Sequence, residues 1–220
     1  MQVKKLIADS FPPLKITDSG SRALHWMDAL QTGQLPVIDG TVFKGVISRK
    51  DILSQSEPGK PVGSFDIVLS KSCLIENQHI FDAVAFAANF KQQIIPVTDE
   101  SGNYSGVITL QNLINNLANF KSMRLPGSII VLEADKKKNP LSQLIEIAEA
   151  NEGEVMTADV EASENTDQYR ATLKINRADL SRIQSAYFRN NINVAAIYHH
   201  SDFTEDLQQR FDSLMNYLNI

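Results

Sequence analysis

Apolar residues recur along this chain in two rhythms, one stepping by three and four positions and one by two. Ala23, Trp26, Met27 and Leu30 mark one side of a helix, and Ala83, Val84, Ala87 and Phe90 mark another some sixty residues on. After each helix come a short strand following a proline, a turn, and a second strand ending in a hydroxyl residue. A further helix follows, carrying Ile52 and Leu53 in the first case and Leu110, Leu113, Ile114 and Leu117 in the second. The segments LPVIDGTVFKGVISRKDIL (35–53) and IPVTDESGNYSGVITLQNLI (95–114) therefore align as an internal repeat. Pro36, Val37 and Asp39 match Pro96, Val97 and Asp99 at a spacing of 60, whereas Gly45, Ser48 and Asp51 match Gly106, Thr109 and Asn112 at 61. The slip falls between two hairpin turns, Asp39-Gly40 and Asp99-Glu-Ser-Gly102, where a length change costs least. Each copy reads β-α-β-β-α, with Glu57-Pro-Gly-Lys-Pro61 as the linker between them.

From Ser128 the pattern changes. Ser128–Ala134 reads as a strand, and Leu141, Leu144, Ile145 and Ala148 line a helix that ends before Asn151 and Gly153. A strand over 154–161 precedes a polar loop, and Tyr169, Ala171, Leu173 and Ile175 alternate as another strand. Asn176 with Asp179 resembles an N-cap signal for a helix bearing Leu180, Ile183 and Tyr187, and Ile192–Tyr198 alternates again. That order, β-α-β-β-α-β, is ferredoxin-like. Phe203, Leu207, Phe211, Leu214 and Leu218 then stripe a terminal amphipathic helix that needs a surface to lie on. The fold class expected is α+β, divided as 1–60, 61–122, 126–201 and a helix over 202–220.

Composition narrows the function. Hydrophobic residues make up 43% and charged residues 21%, the balance of a globular protein, and no apolar run approaches the roughly 20 residues of a membrane span. A net charge of −5 argues against a nucleic-acid partner. The start, MQVKKLIADS, has no apolar leader core, and the single Cys73 can form no internal disulfide, so a cytoplasmic location is expected.

The paired units, with GVISRKD (45–51) and GVITLQN (106–112), resemble a tandem CBS domain pair, the Bateman module. Residues 128–200 resemble an ACT domain in element order, and the combination resembles bacterial acetoin-utilisation-type CBS regulators. The resemblance implies two clefts between packed sheets, each able to take an adenosine-containing ligand: AMP, ADP, ATP or S-adenosylmethionine. It carries the ligand-binding roles onto Ser48 and Asp51, and onto Thr109 and Asn112 in the second copy. The ACT loop that would hold an amino acid corresponds to Lys138-Asn139-Pro140-Leu141, which has no glycine, so a packing or dimer role is expected there. A homodimer acting on some protein target is expected as well.

Chemistry supports the same residues. Ser48 closes a strand, and Asp51 lies in the first turn of a helix, where free N–H groups favour an anion. An ionised Asp offers two acceptor oxygens to the hydroxyls of a ribose, and Arg49 and Lys50 could meet phosphates. Asn112 has one acceptor oxygen, and Leu110 and Gln111 supply no cation, so the second site is expected to be weak or empty. The competing reading is that Asp51 only caps its helix and that Ser48 and Thr109 only finish their strands. Leu35 and Ile95 would either wall an adenine ring or fill the core.

No catalytic constellation is legible. There is no G-x-G-x-x-G, Walker loop or G-x-S-x-G elbow, and GKPVGS (59–64) has the wrong spacing. His25 and His79 are isolated, the adjacent His199 and His200 point to opposite faces of any strand, and Cys73 lacks a C-x-x-C partner. Lys136–Lys138 and the cluster Glu146, Glu149, Glu152 and Glu154 read as solvated surfaces. The expectation is a non-catalytic sensor of an adenine nucleotide, with a dimerisation scaffold bearing vestigial pockets as the alternative.

Overall fold

The computed structural model describes residues 1–8, 11–65, 69–90, 93–162 and 167–199 of the chain. The architecture is mixed α+β and divides into two compact units, residues 1–118 and 119–220. Among the described residues no helix is long and apolar enough to cross a membrane.

The first unit contains the repeat. Its elements are β1 (Leu14–Lys15), α1 (Gly20–Ala29), β2 (Gln34–Asp39), β3 (Val42–Ser48) and α2 (Arg49–Leu53). They recur as β4 (Leu74–Ile75), α3 (Ile80–Asn89), β5 (Ile94–Thr98), β6 (Tyr104–Thr109) and α4 (Leu110–Ala118). Each copy builds a three-stranded sheet in which the short first strand lies parallel to the second and the third returns antiparallel. The ladders break at the same place. Val37 faces Gly45 while Ile38 faces Phe43, and Val97 faces Gly106 while Thr98 faces Tyr104. One extra residue, Lys44 or Ser105, is therefore bulged immediately before the motif glycine.

That glycine has a specific task. Gly45 and Gly106 sit at φ of 140° and 151°, a region essentially closed to residues with a Cβ. A Cβ on Gly45 would come within 2.8 Å of the Ser70 carbonyl oxygen, and one on Gly106 would collide with the Ile7 side chain. Ile7 belongs to the segment leading into the first copy, and Ser70 to the segment leading into the second. Each leading segment thus crosses the other copy's last strand, and the backbone bonds Ala8 N to Val107 O and Val46 N to Ser70 O fasten both crossings.

The exchange extends further back. Met1 O, Val3 N and Lys4 N bond to Ile80 N, Gln78 O and Glu76 O. Lys60 O, Val62 N and Gly63 N bond to Gly20 N, Asp18 O and Ile16 O, the corresponding positions of the first copy. Val3 and Val62 are both buried by this docking. The Pro/Gly stretch expected to be a plain linker is therefore fixed to α1 through its backbone. Only its tertiary partners reveal this, because turn-forming residues look the same whether or not their free carbonyls are used.

The two copies also meet along a local two-fold axis, visible because equivalent residues touch each other. Phe43 N bonds Gly102 O while Tyr104 N bonds Thr41 O, and the Phe43 and Tyr104 rings stack at 6.4 Å. Val46 and Val107 share an apolar cluster with Ile94. Burial holds the Tyr104 phenol well above its ordinary pKa.

The helix faces require correction. In α1 the expected stripe packs into the core, Ala23 and Met27 fully and Trp26 and Leu30 in part. In α3 the buried residues are Ile80, Ala83 and Phe86, and Val84 and Phe90 are exposed instead. In α4 only Leu113 is buried, leaving Leu110 and Ile114 outside, and in α2 Leu53 is outside while Ile52 is inside. Helix α3 is apolar over most of its circumference and so does not announce which side faces inward.

The second unit follows the expected order, with a one-turn helix α5 (Lys121–Arg124) ahead of it. It comprises β7 (Ser128–Asp135), α6 (Leu141–Ala150), β8 (Val155–Ala162), β9 (Gln168–Ile175), α7 (Ser181–Arg189) and β10 (Asn193–Tyr198). The antiparallel sheet runs β10-β7-β9-β8, the ferredoxin-like arrangement. Alternate residues of β7 and β9 pack under α6 and α7, and the Tyr187 hydroxyl ties the two helices by donating to Leu144 O at 2.7 Å. Helix α7 begins four residues later than an N-cap at Asn176 would place it. Asp179 Oδ1 accepts from Ser181 N at 2.9 Å, while the Asn176 side chain binds Glu154. The expected C-terminal helix (203–219) lies outside the described residues.

Replacing a motif glycine should cost more than replacing a turn glycine. Gly102 has φ of 83° and open space where a Cβ would sit, so Gly102→Ala should cost about 1–2 kcal/mol of backbone strain alone. Gly106→Ala should add roughly 1–3 kcal/mol from the Ile7 collision. Urea melts of both variants give the comparison.

Candidate functional site

The two strand-to-helix junctions carry the motif residues, and the fold brings both toward the local two-fold axis. Ser48 pairs with Gln34 across the β2–β3 ladder, and Thr109 pairs with Ile94 across β5–β6. Gln34 and Ile94 are equivalent positions. Beside them Gln93 links the copies: its Oε1 accepts from Gly33 N at 2.6 Å, and its N donates to Gln34 Oε1 at 2.9 Å. Ser48, Gln34 and Gln93 therefore form one chain of neighbours running from the first motif into the joint between repeats.

At the first junction, Asp51 and Ser48 hold each other. Asp51 Oδ2 accepts from Ser48 N at 2.8 Å and from Ser48 Oγ at 2.6 Å, and Ser48 Oγ accepts from Asp51 N at 3.2 Å. This is a complete capping box with Asp in the role usually filled by Glu. Oδ1 has no hydrogen bond among the described residues, and the side chain is half-buried. The helix start is otherwise closed, since Arg49 N donates to Gly33 O at 2.8 Å. Helix α2 has only five residues, so its dipole adds little for an anion.

The basic residues separate. Arg49 is paired with Asp28 of α1, so its charge is neutralised on the helix layer. Lys50 is exposed and has no ion pair among the described residues.

At the second junction Thr109 Oγ1 accepts from Asn112 N at 3.1 Å, and nothing returns. The half-buried Asn112 amide makes no hydrogen bond among the described residues. Leu35 and Ile95 are fully buried, so both present packing surface rather than a wall to a ligand. Sequence reasoning missed Gln34 and Gln93. The one available signal was position: Gln34 precedes the LPV run, as Gln93 precedes Ile94 and the IPV run.

The remaining candidates resolve into structural roles. Glu76 is held below the usual carboxylate range by hydrogen bonds from Lys4 and Ser105, and Asp99 by those from Asn103. Cys73 is half-buried with Sγ 3.8 Å from Thr98 Oγ1. Lys137 pairs with Asp167, and Glu152 pairs with Arg182. No group of three His, Cys, Asp or Glu could hold a metal among the described residues, and His200 lies outside them. The second unit carries a cavity of about 680 Å³ beside α7 and β10, rimmed by Phe188, Arg189 and Asn191. None of the motif residues lies there.

No protein-family model and no curated protein matches the chain. Several solved structures are similar to it over about half its length. A CBS domain pair/ACT domain protein from Thermotoga maritima is 24% identical, with 53% of this chain and 96% of that one covered at a TM-score of 0.47. CBSX2 in complex with AMP is 23% identical, covering 55% and 98% at 0.48. The CBS domains of a transcriptional regulator from Streptococcus pneumoniae are 22% identical, covering 52% and 98% at 0.46.

The asymmetry of the junctions predicts unequal stability effects. Asp51→Ala removes both acceptor bonds of the box and should cost about 0.5–2 kcal/mol. Asn112→Ala removes no side-chain bond among the described residues and should stay within about 0.5 kcal/mol of the native chain. Equilibrium denaturation of the two variants checks both.

Proposed function

We propose that the first unit is a CBS pair acting as a non-catalytic sensor of an adenosine-containing ligand, bound beside Ser48 and Asp51. The observation that carries this reading is the state of the Asp51 carboxylate. One oxygen is committed to the capping box, and the other is without a hydrogen bond among the described residues on a half-buried side chain. An ionised oxygen held rigid in this way suits a ribose hydroxyl, and such a bond contributes roughly 1.5–3 kcal/mol. Lys50 is the cation available to a phosphate, because Arg49 is occupied by Asp28. At the second junction the neutral Asn112 amide offers a weaker acceptor, which supports reading that site as the weaker of the two.

Signalling would run through the joint next to the site. A ligand seated at Ser48 lies across the ladder from Gln34, whose side chain holds Gln93 of the other copy. A ligand that prefers one setting of this joint shifts the population of the two repeats' arrangements by no more than its differential affinity. The ferredoxin-like second unit, read as ACT-like, or a separate protein would sense the change.

The scaffold reading draws on a different observation: Ser48 and Asp51 already serve each other, and Leu35 and Ile95 are core. Ligand titration separates the two. AMP, ADP, ATP and S-adenosylmethionine are titrated calorimetrically into the full chain below its melting range. Binding by at least one, weakened about ten-fold or more by Asp51→Ala and unchanged by Asn112→Ala, is the expected result. No heat and no rise in melting temperature with any of the four would favour the scaffold.

A further inference from the structure

Recognition of a phosphate chain needs donors that are free, and the first junction commits most of its own. The backbone N–H groups of Ser48 and Asp51 are spent within the capping box, and that of Arg49 donates to Gly33 O. Of the two cations, Arg49 is drawn across to Asp28 near the end of α1, and Lys50 is exposed on a flexible stem. The prepared part of the site is its ribose end, the Asp51 oxygen left over from the box. The two copies also show that Arg49 and Asp28 go together. At the equivalent positions of the second copy stand Leu110 and Ala88, so the guanidinium is absent where its carboxylate is absent, while the hydroxyl of the motif persists as Thr109.

We propose that the site reads the nucleoside and not the phosphate chain, and that Asp28 enforces this selectivity by withholding Arg49. The ligand class is then an adenosine with one phosphate or none, which rests on the reading of Ser48 and Asp51 as a ribose site. The side chains of Asp28 and Arg49 are 69% and 38% exposed, and an ion pair this exposed holds by a factor of about five at most. The strength of the pair is therefore not what decides the selectivity. If Arg49 swings to a phosphate, it exchanges one anion for another and leaves the Asp28 carboxylate unpaired beside the incoming charge. The exchange gains little, and repulsion between the like charges offsets part of that gain. Lys50 is a solvated point charge and adds a similarly small amount for whichever phosphate it meets. Each further phosphate finds no donor of its own and stays in solvent.

Calorimetric titration of the full chain with adenosine, AMP and ATP at one ionic strength tests it. The three dissociation constants should fall within about five-fold of one another. Asp28→Ala, at an exposed position, frees Arg49 and should tighten ATP about ten-fold relative to adenosine. Adding Arg49→Met should abolish that gain, whereas Arg49→Met alone should leave the native constants within about two-fold. Circular dichroism verifies the fold of each variant. A native chain that holds ATP about ten-fold or more tighter than adenosine would overturn the proposal and leave the sensor reading in place. So would an Asp28→Ala chain whose preference between ATP and adenosine is unchanged. No heat from any of the three ligands, in a chain whose fold is intact, would remove the sensor reading and this proposal with it.

Discussion

A bare stretch of backbone governs the first unit. At Gly45 and Gly106 the last strand of each copy has to admit the segment that leads into the other, and a side chain there would occupy that segment's path. The preceding bulge turns the strand into a conformation that only glycine holds at low cost. From this crossing follow the docking of Val3 and Val62, the anchoring of the Pro58–Gly63 stretch, and the inseparability of the copies. Neither copy completes its own core. Each depends on chain that belongs, by sequence, to its neighbour.

The same arrangement explains how the motif's charges are distributed. The glycine, the apolar strand and the hydroxyl build the crossing and the helix cap, so both copies retain them. Arg49 is different, because its guanidinium reaches Asp28 and forms part of a helix surface. Its replacement by Leu110 is matched by the replacement of Asp28 by Ala88. The loss of charge from the second copy is thus a change of paired positions on one surface. Asp51 and Asn112 are a separate matter, confined to the junction, where a reciprocal box in one copy becomes a one-way cap in the other.

The second unit is organised by ordinary amphipathic packing. Strict alternation in β7 and β9 places Ile130, Leu132, Leu173 and Ile175 under two helices, and the buried Tyr187 hydroxyl finds the Leu144 carbonyl rather than remaining unpaired. Its surface carries Glu152 between Arg177 and Arg182, and Asp179 accepts from Ser181 N where α7 begins.

Periodicity alone was enough to read the repeat, the order of elements in both units, and the turn where the copies differ in length. Those features are local: alternation, a proline-bearing strand and a turn signature each depend on neighbours within a few residues. The junction residues Ser48, Asp51, Thr109 and Asn112 could be picked out for the same reason, since a cap is local chemistry. The roles of Arg49, Leu35, Ile95, Gln34 and Gln93 could not, because their partners lie tens of residues away or across a local symmetry axis. Nor could the inward side of α3, where apolar residues surround the helix and only the sheet beneath selects the buried stripe. The sequence by itself determined the elements and their repetition; tertiary structure alone decided which backbone crosses which glycine, which charges pair, and which apolar face is left outside.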